Sequence, residues 1–141
     1  MLDLRVNNFE PFRDVYGFVA GDDVLRFTAM LLSEVVDELG TSSDFIGHAG
    51  GDNFIIITKY ESVEAIRARV KTRFAGEVQT HYNFMDRQQG FIQVPKPEGG
   101  LAQAPFMTLA VGMVSPTQQS FSDIREITEL AAEARRLDAA A

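Results

Sequence analysis

Cysteine is absent from the 141 residues, and histidine occurs only twice, as His48 and His81. Disulfides, thiol nucleophiles and thiolate metal sites are therefore excluded, and the two histidines fall in no metal-ligand spacing. His48, beside a turn, reads as a strand residue. Basic residues are the minority: 13 Lys and Arg against 20 Asp and Glu give a net charge of −7. That balance argues against a protein that grips nucleic acid, whose affinity comes largely from neutralising phosphates with basic side chains. A small anionic ligand would need positive charge supplied locally. No apolar run approaches the ~18 residues of a membrane span, and the N-terminus lacks the basic-then-apolar layout of a signal peptide. No membrane contact is expected, and the cytoplasm is the default location. Neither a G-x-x-x-x-G-K-[ST] loop nor a G-x-S-x-G elbow is present, so nothing points to an independent hydrolase.

What is present suffices for one core. At 141 residues and 45% hydrophobic, the chain is long enough for one self-sufficient domain and too short for two. Leu2-Asp3-Leu4-Arg5-Val6 alternates as a half-buried strand does. Phe9, Phe12, Val15 and Tyr16 fall at helical spacing, with Pro11 tolerable in the first turn and Gly17 placed to stop the helix. Asp22 or Asp23 can cap a second helix, whose apolar face reads Val24, Leu25, Leu31, Leu32, Val35, Val36 and Leu39. A third helix carries Val63, Ile66, Val70, Phe74 and Val78, with Glu64, Arg67, Arg69 and Lys71 on its solvated face. Residues 81–105 are irregular around Phe91-Ile92-Gln93-Val94 and read as an excursion containing a second hairpin, either a tolerated surface insertion or a partner-binding element. Met107 to Val114 has the length of a central strand, where Gly112 marks a bulge or close packing. Ser122 caps a last helix bearing Ile124, Ile127, Leu130, Ala134 and Leu137. The order predicts an α/β, or α+β, sandwich with helices covering a mainly antiparallel sheet.

The most informative stretch is Gly47-His48-Ala49-Gly50-Gly51-Asp52-Asn53-Phe54, set between Phe45-Ile46 and Ile55-Ile56-Ile57-Thr58. It predicts a β-hairpin with its turn at Gly50-Gly51-Asp52-Asn53. Two readings are open: ordinary hairpin punctuation, or a bare backbone against which a nucleotide lies while Asp52 points a carboxylate at it.

These residues carry a resemblance. Gly50-Gly51-Asp52-Asn53-Phe54 resembles the signature of GGDEF domains, the bacterial diguanylate cyclase family that condenses two GTP into cyclic di-GMP. Asn8 to Gly17 resembles the family's first helix, Gly21-Asp22-Asp23-Val24-Leu25 the start of its second, and Thr108-Leu109-Ala110-Val111-Gly112 its late "T-x-S-x-G" strand. The likeness runs from residue 2 to about residue 137. It implies a five-stranded sheet wrapped by helices, related to the palm of polymerases and nucleotide cyclases. The chain begins at the first strand, without the preceding helix and "D-x-L-T" turn of the family, so residues 1–141 are expected to be a piece of a longer multidomain signalling protein.

The resemblance also implies a site, and here the departures matter. Phosphoryl transfer needs divalent ions held by carboxylates. The metal-binding Asp of the family's first strand corresponds to Arg5, the second Asp of its "D-x-D" pair to Asn7, and the signature glutamate to Asn53. Asp52 alone keeps its charge, leaving a weak or absent Mg²⁺ site. Asp3 shares a strand face with Arg5, but at ~3.3 Å per residue it lies roughly 6.6 Å away. The family's guanine-reading Asn and Asp correspond to Arg13 and Asp22: Asp22 can accept from guanine N1–H and N2–H₂, whereas Arg13 offers donors, suited to O6 or N7. Asp22 is equally a helix cap. The triphosphate-holding Lys and Arg have no clear counterpart near Leu137-Asp138-Ala139-Ala140-Ala141, and Arg135 and Arg136 read as surface charges. The inhibitory "R-x-x-D" reads Thr41-Ser42-Ser43-Asp44, retaining Asp44 and losing its arginine fork.

Together these residues predict a degenerate, catalytically impaired GGDEF domain. It would act as a guanine-nucleotide-sensing or regulatory module, with Gly50, Gly51, Asp22, Arg13 and Arg5 holding the ligand. One alternative is an active diguanylate cyclase, in which Asp52 and Asn53 still serve catalysis with Mg²⁺ in a homodimer. The other is a nucleotide-free scaffold contacting other domains of the same protein.

Overall fold

The computed structural model describes residues 1–114 and 124–140. A central antiparallel sheet has the order β2-β3-β1-β6, from strands β1 (Leu2–Asn7), β2 (Phe45–Gly50), β3 (Asn53–Ile57) and β6 (Thr108–Met113). Helices α1 (Phe9–Tyr16), α2 (Phe18–Leu39), α3 (Tyr60–Glu77) and α5 (Ile124–Ala140) flank it. The excursion contributes a short helix α4 (Phe84–Gln89) and a separate hairpin of β4 (Ile92–Pro95) and β5 (Leu101–Ala104). The α+β class holds, but the sheet has four strands among the described residues, not five. Ile92 to Val94 pairs with β5 across a Lys96–Gly100 turn, the second hairpin expected of the excursion, and does not join the sheet. The Ser122 cap lies outside the described residues.

Alternation along β1 sorts the two faces. Leu2, Leu4 and Val6 are buried with Phe54, Ile56, Leu109 and Val111 in the cluster that α2 and α3 complete through Leu31, Leu32, Val35, Ile66, Val70 and Phe74. Asp3 and Arg5 point the other way, the side that α5 crosses. In the register Asp3 pairs with Gly112 on one side and Ile55 on the other, while Arg5 pairs with Ala110 and Asn53. Gly112 shows why α5 sits so close: a Cβ there would fall 2.1 Å from the backbone nitrogen of Arg135 and 2.4 Å from the carbonyl oxygen of Ala131. Close packing, not a bulge, is the reason for the glycine.

Four sequence expectations need correction. Asp22 and Asp23 do not cap α2, which starts earlier at Phe18 with Gly17 before it; they stand inside its first turns. Arg135 is not a surface charge but is 6% exposed, because the helix that carries it is pressed onto the strand at Gly112. Leu137, assigned to the apolar face, is exposed, since its helix turns Ala131 and Arg135 to the sheet. Arg67 and Lys71 do not simply face solvent: both form ion pairs with Asp138 at the end of α5, at 3.1 and 2.8 Å.

Asp138 also accepts a 2.8 Å hydrogen bond from the amide of Val111. It thereby occupies the outer edge of β6, which has no further strand beside it among the described residues. The excursion is likewise anchored. The Tyr82 hydroxyl accepts from the Met107 amide at 2.9 Å, its ring meets Phe12 and Phe106, and Tyr16 hydrogen-bonds the Asp86 carboxylate of α4. Burial pushes the Tyr82 hydroxyl up to about 12.

Two predictions follow from the way α5 is held. Gly112→Ala drives a methyl into helix backbone that cannot give locally, so chemical denaturation should show a loss of about 1–3 kcal/mol. Burial alone would raise the Asp138 carboxyl, but hydrogen bonds from Lys71 and Val111 and the charges of Lys71 and Arg67 outweigh it, so it titrates below its ordinary value. A carboxyl depressed on folding contributes stability above its unfolded value, near 4, that is lost as pH falls further. Denaturation midpoints across the acid range should therefore fall less steeply in Asp138→Asn than in the parent chain.

Candidate functional site

The β2–β3 hairpin forms as its sequence demands. Gly50 and Gly51 have φ of 115° and 52°, a region that side chains avoid. A Cβ at either would meet nothing within 4 Å, so this backbone is open to a ligand. A register shift between His48 and Gly50 leaves Ala49 as the extra residue of a bulge. The His48 ring stacks on Phe54 at 4.7 Å between centroids, and its Nε2 lies 2.6 Å from the Gly51 carbonyl oxygen, bracing the turn. The Val6 amide donates to the Asp52 carbonyl at 3.2 Å, folding the turn back on β1.

Charge is concentrated beneath this turn. Arg5 Nε lies 3.5 Å from Asp52 Oδ1, with the arginine side chain 49% and the aspartate 25% exposed. Asn53, directly across from Arg5, donates through Nδ2 to Asp3 Oδ1 and to the Leu4 carbonyl, both at 2.7 Å. Asp3 is 4% exposed and takes a 2.7 Å ion pair from Arg135 Nη1. Two carboxylates thus stand below the signature, each paired with an arginine. Among the described residues no group of three or more His, Asp or Glu side chains stands close enough to share a metal ion.

The other candidates lie around this centre. A shallow apolar hollow of about 190 Å³ opens between α2 and the hairpin, lined by Leu25, Arg26, Ala29, His48 and Phe54. Asp22 precedes Leu25, Arg26 and Ala29 by three, four and seven residues, so it stands on the same helix face, at the rim. Arg13 is placed on the α1 side: its guanidinium carbon is 5.4 Å from the Phe9 ring centre and 5.2 Å from that of Phe18, and its stem lies against Gly21. Asp44 sits at the far end of β2 from the turn. There it accepts from the Thr41 amide and hydroxyl, at 2.9 Å each, and from Thr58 at 2.7 Å. Burial would raise its carboxyl, yet these hydrogen bonds outweigh it and hold it below the ordinary range.

The structure therefore gathers Arg5, Gly50, Gly51, Asp52 and Asn53 at one end of the hairpin, carries Asp22 on α2, sets Arg13 against Phe9, Phe18 and Gly21, and leaves Asp44 at the other end of β2. Sequence reasoning set aside the salt-bridged pair, Asp3 as too far from Arg5 and Arg135 as a surface charge, and undervalued His48. The one available signal for the pair was Gly112, which announced that something packs on the strand beside Asp3.

Residues 1–135 match the family described as GGDEF: diguanylate cyclase, GGDEF domain. The chain belongs to the GGDEF family. A diguanylate cyclase of Vibrio cholerae is 31% identical over 77 residues, 52% of this chain and 23% of that protein. The signaling protein YkoW of Bacillus subtilis is 44% identical over 54 residues, 38% of this chain and 6% of its own length. The matches thus span under a quarter of these relatives. The active GGEEF domain of a diguanylate cyclase from Vibrio cholerae superposes with a TM-score of 0.66 at 21% identity, covering 96% of this chain and 72% of that one, a likeness of fold.

The two ion pairs differ in what they contribute. Arg5 and Asp52 are solvated and screened, so Arg5→Met should change stability by less than about 1 kcal/mol. Arg135→Met strands a buried carboxylate and should cost about 3–5 kcal/mol. Urea titrations of the two variants side by side measure the contrast.

Proposed function

We propose that this domain is a GGDEF module of cyclic di-GMP signalling that binds a guanine nucleotide without a divalent ion and does not condense GTP. The observation that carries this reading is the Arg5–Asp52 pair, a guanidinium lodged against the signature carboxylate.

The residues present do not fit Mg²⁺. The ion demands carboxylate oxygens free to approach within about 2.1 Å in a near-octahedral set. Here the Asp52 carboxylate faces Arg5, Asp3 is shared between Arg135 and Asn53, and the Asn53 amide is turned to donate. Positive charge is instead supplied by the protein. Arg5 is half-exposed and only loosely paired, so its planar fork can leave Asp52 for a phosphate, where two parallel hydrogen bonds form. The open space at Gly50 and Gly51 lets a ligand come up against the main chain. The hollow beside Phe54 suits the face of a base, and Asp22 at its rim can accept from the guanine N1–H and N2–H₂ edge.

Such a site holds and orients a nucleotide but does not activate it. Condensation requires neutralising the charge that develops at the transferred phosphorus and taking a proton from the attacking hydroxyl. One arginine tethered to Asp52, with a neutral Asn53 beside it, supplies neither in the needed degree. A module of this kind works in the cytoplasm, where guanine nucleotides are held, and passes ligand occupancy to other domains of its protein. No homodimer is required.

Calorimetric titration of GTP, once with Mg²⁺ and once with EDTA, tests the reading. Dissociation constants equal within about twofold are expected in both, and Arg5→Met should weaken binding by about tenfold, or 1.4 kcal/mol. Binding that requires Mg²⁺, with cyclic di-GMP formed, would establish the cyclase instead. No binding under either condition would leave a protein-interaction scaffold.

A further inference from the structure

We infer that Arg135 is a positioning residue for the signature turn: through Asp3 it sets the orientation of Asn53, so that docking of the C-terminal helix and closure of the turn are one coupled event. The inference rests on the buried contacts alone and stands whether or not a nucleotide binds.

The coupling runs through three side chains from three elements. Arg135 of α5 and Asn53 at the head of β3 reach the same oxygen, Oδ1 of Asp3 on β1, each at 2.7 Å. Asp3 lies in the row Gly112–Asp3–Ile55 and Asn53 in the row Ala110–Arg5–Asn53, so the asparagine reaches diagonally across the sheet, a reach of one residue pair. Its other proton goes to the Leu4 carbonyl, which leaves Nδ2 fully committed to β1. Asp3 holds the amide this way while its carboxylate is fixed in place. Buried at 4% exposure, it has no water to solvate it, and Arg135 is the one cation that reaches it among the described residues. Remove that cation and a buried carboxylate loses its counter-charge and must either repack or draw water in. Both outcomes change what Asn53 donates to.

The consequence extends past Asn53. Residue 53 begins the strand immediately after Asp52, whose carbonyl receives the Val6 amide and whose carboxylate faces Arg5. A rotated Asn53 amide loses its tie to Leu4 and frees the backbone on which Asp52 depends. Arg135 itself is aimed by two neighbours on α5. Ala131 is buried one turn before it, where Gly112 admits the helix backbone, and Asp138 three residues later is held by Lys71, Arg67 and the Val111 amide. Of these two polar anchors, Arg135 is the one that bears on the turn, through Asp3. Where a ligand occupies the turn, linkage makes its binding and α5 docking reinforce each other by the same factor.

Asp138→Asn supplies the control, because it loosens α5 from α3 without touching Asp3. Two readouts report the turn without any ligand: the side-chain amide resonances of Asn53 and the hydrogen-exchange rate of the Val6 amide. Arg135→Met, similar in volume but uncharged, should shift the Asn53 resonances and speed Val6 exchange by about tenfold, a local opening well short of global unfolding. Arg135→Lys, which keeps the charge but loses the fork, should fall between, and Asp138→Asn, which keeps Arg135 on Asp3 and loosens only the helix end, should move both readouts by less than Arg135→Lys does. The inference is overturned if Arg135→Met leaves the Asn53 resonances and Val6 exchange as they were, or if Asp138→Asn moves them equally, since α5 would then be a mere cover. If Arg135→Met does not fold, Arg135→Lys against Asp138→Asn decides in the same way. GTP titration into Arg135→Lys is then a separate measurement whose failure bears on the nucleotide reading alone.

Discussion

The buried ion pair between Asp3 and Arg135 is the constraint around which the helix α5 side of this domain is arranged. A carboxylate at 4% exposure inside a β-sheet face is expensive unless a cation and further donors satisfy it. Arg135 and Asn53 do so, and their positions impose conditions elsewhere. The helix must approach β6 closely enough for Arg135 to span to β1, which requires Gly112. The helix end must also be held so that Arg135 does not swing away, which Asp138 accomplishes with Lys71, Arg67 and the open edge of β6.

The opposite face follows simpler rules. There the sheet is apolar, and α2 and α3 bury Leu, Val, Ile and Phe against Leu2, Leu4, Phe54 and Ile56. This face supplies the hydrophobic driving force, which is large and indifferent to chemical detail. The polar face contributes specificity: it determines which carboxylate meets which arginine at the signature turn. A family built around carboxylates and a divalent ion is represented here by two carboxylates and two arginines. Each of those carboxylates is met by one of the chain's own arginines.

Several features were legible in the sequence because they depend on local physics. The Gly50-Gly51 turn needs positive φ, which glycine provides. The spacing of Val63, Ile66, Val70 and Phe74 declares a buried helix stripe, and all four are buried. Gly112 in an apolar run signalled either a bulge or close packing, and the helix backbone against it decides for packing. Other features were not legible, because period and propensity carry no information about partners. Arg135 occupies a helix position that looks like surface until the helix is laid on a strand. Arg67 and Lys71 look like a solvated face until Asp138 arrives 67 to 71 residues later. The excursion of residues 81–105 reads as irregular, yet Tyr16 and Tyr82 tie it down through contacts that no local pattern encodes.

The sequence by itself determined the family, the α+β class, the signature hairpin and the replacement of acidic positions by Arg5, Asn7 and Asn53, since each is a matter of residue identity, short-range geometry or alternation. Only the tertiary structure decided that Asp52 is answered by Arg5, that Asp3 is buried and salt-bridged instead of idle, and that the C-terminal helix reaches Asp3, which also holds Asn53. The reason is that a charged side chain's role is set by what desolvates and pairs it. Those groups arrive from strands and helices as far as 132 residues away in the chain.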